Sequence, residues 1–481
     1  MNRMNRPFSR FSTTLCLLSV IFLSGCGTAP KKGPDLMQFR ARSDFQGAAN
    51  LFLAPDRKPR YDRNNLHMTL EAAKAFHDAG YWQLSNEAFA HAHQLMPWKE
   101  DTVDTPQEVL ALLATTATSS AFGPYQGKVH EGGFVDYYRA LNQLMLKNEN
   151  ARVSFKRLQE RQRNSVVQLG AFARASYGSM KEGLAQNQKI NAASSTQQIE
   201  GQLGRGVAKV RPGVMMSEIQ IAAGDVMSAL FRATSSDPLD NDLSLIQPLL
   251  SSAAQSAASD EGRDFVRKLR ASIDQTNGKL ENKVIVVYED GNGPGFNEYR
   301  IDLPMYLVSD KVLYSGIALP EFREGNAAYS YLLVGEEGDR TAVLTDINRL
   351  VGLEFEKAYP GIVSKAVIST IIKTAAQYAA NAEIDRQVDK QKLDPLVAAF
   401  MKIGTAATQA AFTNADTRAW RNLPNTIQIA VVDRPASGLL KIETANRQPV
   451  DTLSLDEPGN YLILVKGAAS QMGLAVSLVK L

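Results

Sequence analysis

Two residue types in this chain bear directly on chemistry: cysteine at positions 16 and 26, and histidine at positions 67, 77, 91, 93 and 130. Cys26 closes the tetrapeptide Leu23-Ser24-Gly25-Cys26. Before it come Arg3, Arg6 and Arg10, then an apolar run from Thr13 to Leu23. A bilayer-spanning helix needs about 20 apolar residues, so this run is too short to span and reads as a cleaved leader. Small residues at 24 and 25 admit a peptidase to the bond before Cys26. The expected chemistry is diacylglycerol on the thiol and a third acyl chain on the freed amine. Burial is worth ~0.8 kcal/mol per methylene and two chains already anchor stably, so three would hold the protein permanently to a membrane. Gly27, in place of the Asp that retains such proteins in the inner membrane of enterobacteria, favours the outer membrane and a periplasm-facing body.

The other potential chemistry is excluded piece by piece. Cys16 lies in the leader, so past Cys26 there is no thiol for a disulfide, a zinc-thiolate site or a nucleophile. His91 and His93 stand two apart on an expected helix, about 200° around its axis, and cannot share a metal. His91 falls on a polar face and reads as solvated. No histidine follows His130, which rules out a Ser-His-Asp triad within the C-terminal half. The hydrolase, zincin and P-loop spacings are absent, and Ser477-x-x-Lys480 sits at the chain end as a coincidence. The loop Tyr288-Glu289-Asp290-Gly291-Asn292-Gly293-Pro294-Gly295 follows a buried-type strand, as phosphate loops do. Pro294 removes a donor and Glu289 and Asp290 repel an anion, so a hairpin loop is preferred. The pairs Glu354/Glu356 and Asp302/Asp310 read as charged faces. No enzyme activity, cofactor or metal is expected.

Charge points the same way. Three of the 53 basic residues fall in the leader, leaving 50 basic against 50 acidic. Without a basic field, nucleic acid is not an expected partner.

These positions are carried by an α+β chain. After the leader (1–25), residues 26–65 read as a flexible tether. Residues 66–275 read as tetratricopeptide-like helix pairs. Leu70, Ala73 and Phe76 pair with Ala88, Ala92 and Met96, with small residues at 85 and 92 and with Trp82 and Phe89 filling the groove. Two more pairs follow at 134–162 and 219–257, around a polar loop at 186–206. From 280 to 481 the period turns extended, and a sandwich-like β domain is expected with a helical insertion at 345–413, divided as 345–357, 361–383 and 394–413. The patch Thr417–Pro424 holds Arg418 and Trp420. Trp420 either anchors a partner or, by preference, seals the junction between helices and the last sheet. Trp82, Phe89, Tyr125, Arg418 and Trp420 are the candidate partner-binding residues.

Several short stretches, in this order, resemble a family of bacterial envelope lipoproteins of undefined activity. They are the lipobox at Cys26, the Gly80-to-Phe89 repeat and Pro124-Tyr125-Gln126-Gly127 with Glu131. They continue with Gly293-Pro294…Glu298…Leu303-Pro304, Leu353-Glu354-Phe355-Glu356…Tyr359-Pro360, and Asp416–Trp420 with Leu423-Pro424. Members are often encoded near lipoproteins that activate penicillin-binding proteins or that resemble curli-secretion components. The resemblance implies a role in cell-envelope assembly, and lends no catalytic residues. One position departs: a Lys is expected two residues after Pro294, and Phe296 stands there. The sequence thus leads to a lipid-anchored interaction protein. An envelope-polymer hydrolase or transferase, and a carrier of an apolar ligand near 361–413, are the alternatives.

Overall fold

The computed structural model of the chain describes residues 36–96, 125, 127–165, 220–304, 314–411 and 413–481. The leader, Cys26 and the polar stretch 186–206 lie outside them.

Order begins earlier than the tether reading allowed. Helices α1 (Leu36–Arg40) and α2 (Phe45–Asn50) belong to the body, with Leu36, Phe45, Ala48, Ala49 and Phe52 buried. Positions 45, 48, 49 and 52 repeat at helical spacing, and Asp44 caps the turn by accepting from the Gly47 amide at 2.7 Å. The first paired helices follow, α3 (Leu66–Asp78) and α4 (Trp82–Leu95). Gly80, at φ 79°, ends α3 in a Schellman turn: the Tyr81 amide donates to Phe76 O at 2.8 Å and the Gly80 amide to His77 O at 3.1 Å. The small side chain of Ser85 lets α4 close on α3, and its hydroxyl donates to Ala73 O at 2.8 Å.

Next come α5 (Val129–Met145), α6 (151–165), α7 (Ala222–Thr234), α8 (Leu243–Ser256) and α9 (Asp260–Gln275). The sequence reading missed α9. Ser259 caps it through the Gly262 amide, and Gly262, Val266, Leu269 and Ile273 form its buried stripe.

The β region holds three sheets. Strands β11 (Ala475–Lys480), β10 (Tyr461–Gly467), β1 (Lys283–Asp290), β7 (Thr426–Asp433) and β6 (Ala342–Asp346) lie side by side in that order. β1 and β10 are parallel and the other neighbours antiparallel. A four-stranded sheet runs β5 (Asp339–Arg340), β4 (Leu332–Val334), β8 (Leu439–Thr444), β9 (Pro449–Ser454). β2 (Gly295–Pro304) and β3 (Tyr314–Arg323) form a separate ribbon.

Alternation along β1 explains the layering. Val284, Val286 and Tyr288 pack on Leu332, Val334, Leu440 and Ile442 of the four-stranded sheet. Ile285 and Val287 face the helices. With both faces covered, β1 reads as an unbroken apolar run. The insertion has two helices rather than three: α10 (Ile347–Asp389) continues through Pro360 for 43 residues, and α11 (Pro395–Ala411) returns. The loop after β1 is a crossover between sheets and not a hairpin, because β2 pairs with β3 alone.

Candidate functional site

Two polar clusters stand out where the helices meet the central sheet. The first is wholly buried. On the helix-facing side of β1 and β10, the alternation that presents Ile285, Val287, Leu462 and Leu464 next presents Glu289 and Lys466, which are registered partners. From α3, Lys74, His77 and Asp78 come to the same place, one turn apart on one face, and Arg40 reaches in from α1. Asp78 is held by both Arg40 and Lys74, and Lys74 Nζ also lies 2.8 Å from Glu289 Oε2. Arg40 Nε donates to Asn292 Oδ1 at 2.9 Å. Lys466 Nζ donates to His77 O at the C-terminal end of α3, where the helix dipole favours a cation, and stands 4.5 Å from the Trp82 ring centroid.

A chain of hydrogen bonds fixes the proton on His77. The Ser85 hydroxyl is given to Ala73 O, so Ser85 Oγ accepts from Asn142 Nδ2 at 2.8 Å. That turns Asn142 Oδ1 toward His77 Nδ1 at 2.7 Å, and Nδ1 must donate. Burial, with the Lys466 ammonium, pushes the His77 pKa down to about 4, leaving Nε2 bare near neutrality. Bare Nε2 faces Glu289 Oε1 at 3.3 Å, and neither atom has a hydrogen-bond partner. Burial alone would raise Glu289, but the Lys74 ammonium, with that of Lys466, holds it far below the carboxylate range. Burial lowers Lys466 to about 8.

His77, Asp78 and Glu289 bring ligand-type atoms within 4.8 Å of one another, the one such set among the described residues. They do not fit a metal ion, because Arg40 and Lys74 already hold both carboxylates, and a dication would sit against two cations.

The second cluster is buried at its centre and partly buried at its rim, and gathers stretches far apart in the chain. Glu354 on α10 accepts from the Val129 and His130 amides at 2.9 and 3.1 Å and lies 2.6 Å from His130 Nδ1. It thus caps α5 from another element, and burial, which would raise its pKa, is outweighed by His130 and those amides. Glu131 takes the Tyr125 hydroxyl at 2.6 Å and the Lys128 amide at 2.9 Å. Arg418 grips Asp416 through Nε and Nη2 at 2.8 and 2.7 Å, and its guanidinium lies 5.4 Å from the Tyr125 ring centroid. Glu298 of β2 pins the same loop by accepting from the Ala415 amide at 2.8 Å. His67 donates through Nε2 to Ala419 O at 2.7 Å, edge-on to Tyr125.

Lys128 was not singled out in the sequence. Its ammonium stands 3.7 Å from the centroid of the Phe296 ring, and burial lowers its pKa. Phe296, on β2, thus supports a cation carried by the start of α5. Only three-dimensional proximity could reveal that contact.

Of the candidate partner residues, Tyr125 and Arg418 lie here, half-buried. Phe89 is fully buried and stacked on Tyr138, and Trp420, 2% exposed, packs tilted against Phe89 and edge-on to Tyr138. Neither offers a surface, and Trp420 seals the helix–sheet junction. Trp82 packs between His77 and Lys466. Cys26 lies outside the described residues. His91 and His93 turn to different neighbours, Arg63 O at 2.9 Å and Asp136 at 3.8 Å. The Gly291–Gly293 amides are taken by Gly467, Asn326 and Leu423 carbonyls, which leaves no anion cradle. Glu354 is spent on α5, and Ser477 lies on β11 beside a Lys480 that pairs with Glu457. The side chains of Asp302 and Asp310 are outside the description. The chain matches no family model, no curated protein and no solved structure among those compared.

Proposed function

We propose that this chain is a lipid-anchored, periplasm-facing adaptor of the bacterial cell envelope, working by binding rather than by catalysis, and akin to the envelope lipoproteins it resembles. The observation that carries the address is Leu23-Ser24-Gly25-Cys26 behind a short charged-then-apolar leader. Support for binding comes from the place where Tyr125, Lys128, Phe296 and Arg418 gather. The Tyr125 ring and the Arg418 guanidinium, side-chain types favoured at the energetic centre of interfaces, meet there beside the Lys128 ammonium on its ring, all of them partly buried.

Acylation is tested by mass: the amino-terminal peptide of membrane-extracted protein should begin at Cys26 with its acyl chains, and Cys26→Ala should abolish metabolic labelling with a palmitate analogue. A photo-crosslinking amino acid in place of Tyr125 should capture a discrete envelope protein in cells, while the same group at exposed Ser437 captures none. Labelling without Cys26, or no adduct from position 125, would count against the respective half of the reading.

A further inference from the structure

Helix α11 has its polarity turned inside out. Along Pro395–Ala411 the only charged residue is Lys402. Leu396, Phe400 and Ile403 are 68, 67 and 57% exposed, and their spacing of four and three places them on one stripe. Val397 and Met401 are exposed on its flank. Its polar groups Lys402 and Thr405 point the other way, into the contact with α10: Lys402 pairs with Asp385 at 2.7 Å, and the Thr405 hydroxyl donates to Asn381 Oδ1 at 2.9 Å. Asn381 is fully buried. A helix in water hides its apolar stripe and shows its polar face. The reverse arrangement, with ionisable and amide groups paired between helices and apolar side chains facing out, belongs to helices whose surroundings are hydrocarbon.

From this we propose that the α10–α11 hairpin lies on the membrane surface, with the Leu396/Phe400/Ile403 stripe sunk into the boundary between headgroups and acyl chains. This rests on the lipid-anchor reading for its geometry. Leu36, the first described residue, follows Cys26 by ten positions. Ten residues reach at most about 35 Å, so an acylated Cys26 would keep the body beside the bilayer. No helix among the described residues is long and apolar enough to cross a membrane, so the stripe lies in the interface plane. Asp389, Lys390, Lys392 and Asp394 at the bend would keep that end in the headgroup layer.

The test uses the chain from Gly27 onward, which keeps every described residue and, since Cys16 and Cys26 are the only cysteines, has no thiol. Phe400→Cys and, as a control, Ser437→Cys each carry one polarity-sensitive fluorophore. Vesicles of phosphatidylethanolamine and phosphatidylglycerol should shift the emission at 400 to the blue and raise it severalfold, and leave 437 unchanged. Leu396→Gln with Ile403→Gln, both at exposed sites, should abolish the shift without loss of helix by circular dichroism. No response at 400 overturns the proposal, and so does an equal response at 437, which is general adsorption. A response that grows with protein concentration before vesicles are added overturns it too, since the stripe then meets a second copy. Because this protein has no acyl chain, failure here leaves acylation of Cys26 to be judged by its own mass measurement.

Discussion

At the scale of single residues, the buried node between α3 and the sheet has three cations, Arg40, Lys74 and Lys466, against two carboxylates, Asp78 and Glu289. It tolerates them by keeping His77 neutral, and that ties stability to pH. His77 titrates near 4 when folded and at 6.5 when unperturbed, so as pH falls the unfolded chain takes the proton first. Its contribution is complete above 6.5 and is lost progressively down to 4, amounting to about 3 kcal/mol. Asp225 acts in the opposite sense. Burial raises it from 3.8 to about 6, against donors Ser252 and Gln162, so between those values the folded chain holds the extra proton. Acidification there restores stability. The two slopes nearly cancel in the native chain. His77→Gln should therefore gain in urea midpoint between about pH 6 and pH 4.5, while Asp225→Asn should lose over the same interval. Parallel behaviour of the two variants would contradict the assigned protonation states.

At the scale of elements, the crossover after β1 shows why a glycine-rich segment need not bind anything. Gly291 sits at φ 70°, and a Cβ there would lie 2.0 Å from Asn326 O. Gly291→Ala should cost about 3 kcal/mol or more, combining left-handed strain with a backbone clash, and would be read as a lowered urea midpoint. The 43-residue α10 has a comparable structural task. Its first turns are capped by Asp346 and carry Glu354 to the start of α5, while Phe355 packs against Phe296 and Phe322 of the ribbon. One element thus supports both the Phe296 ring and the start of α5 that carries Lys128.

At the scale of the whole molecule, helices and sheet share a core. Leu70, Phe76, Tyr138, Leu230 and Leu269 join Ile285, Val287, Ile429, Leu462 and Trp420 in one continuous apolar cluster. The two-domain division at 275–280 therefore marks a change of secondary structure within a common core. Residues 27–278 expressed alone would leave the sheet-facing apolar stripe uncovered, and should be aggregated or lack fixed tertiary structure by near-ultraviolet circular dichroism. The full chain should unfold in one transition. A soluble, cooperatively folded amino-terminal fragment would show that the common core is dispensable.

Local pattern was enough, in the sequence, for the α+β class, the first helix pairs and the apolar strands β1, β7 and β10. These follow from periods of 3.6 and 2, which need no knowledge of neighbours. The signal for α9 was also present, as a capping serine and a four-three-four apolar spacing, and was overlooked. Short strands such as β5 and β6 carry too few residues to show a period. What tertiary structure alone decided is pairing across distance. Glu354 meets His130, Lys128 meets Phe296, and Glu289 meets Lys74, contacts between residues more than 160 positions apart. A charge reads as a solvated face until folding removes the water around it. Trp420 and Phe89 stand both as groove or junction fillers and as candidate partner residues for the same reason: hydrophobicity fixes that a ring must be covered, and only the packed chain determines whether its own core or a partner covers it.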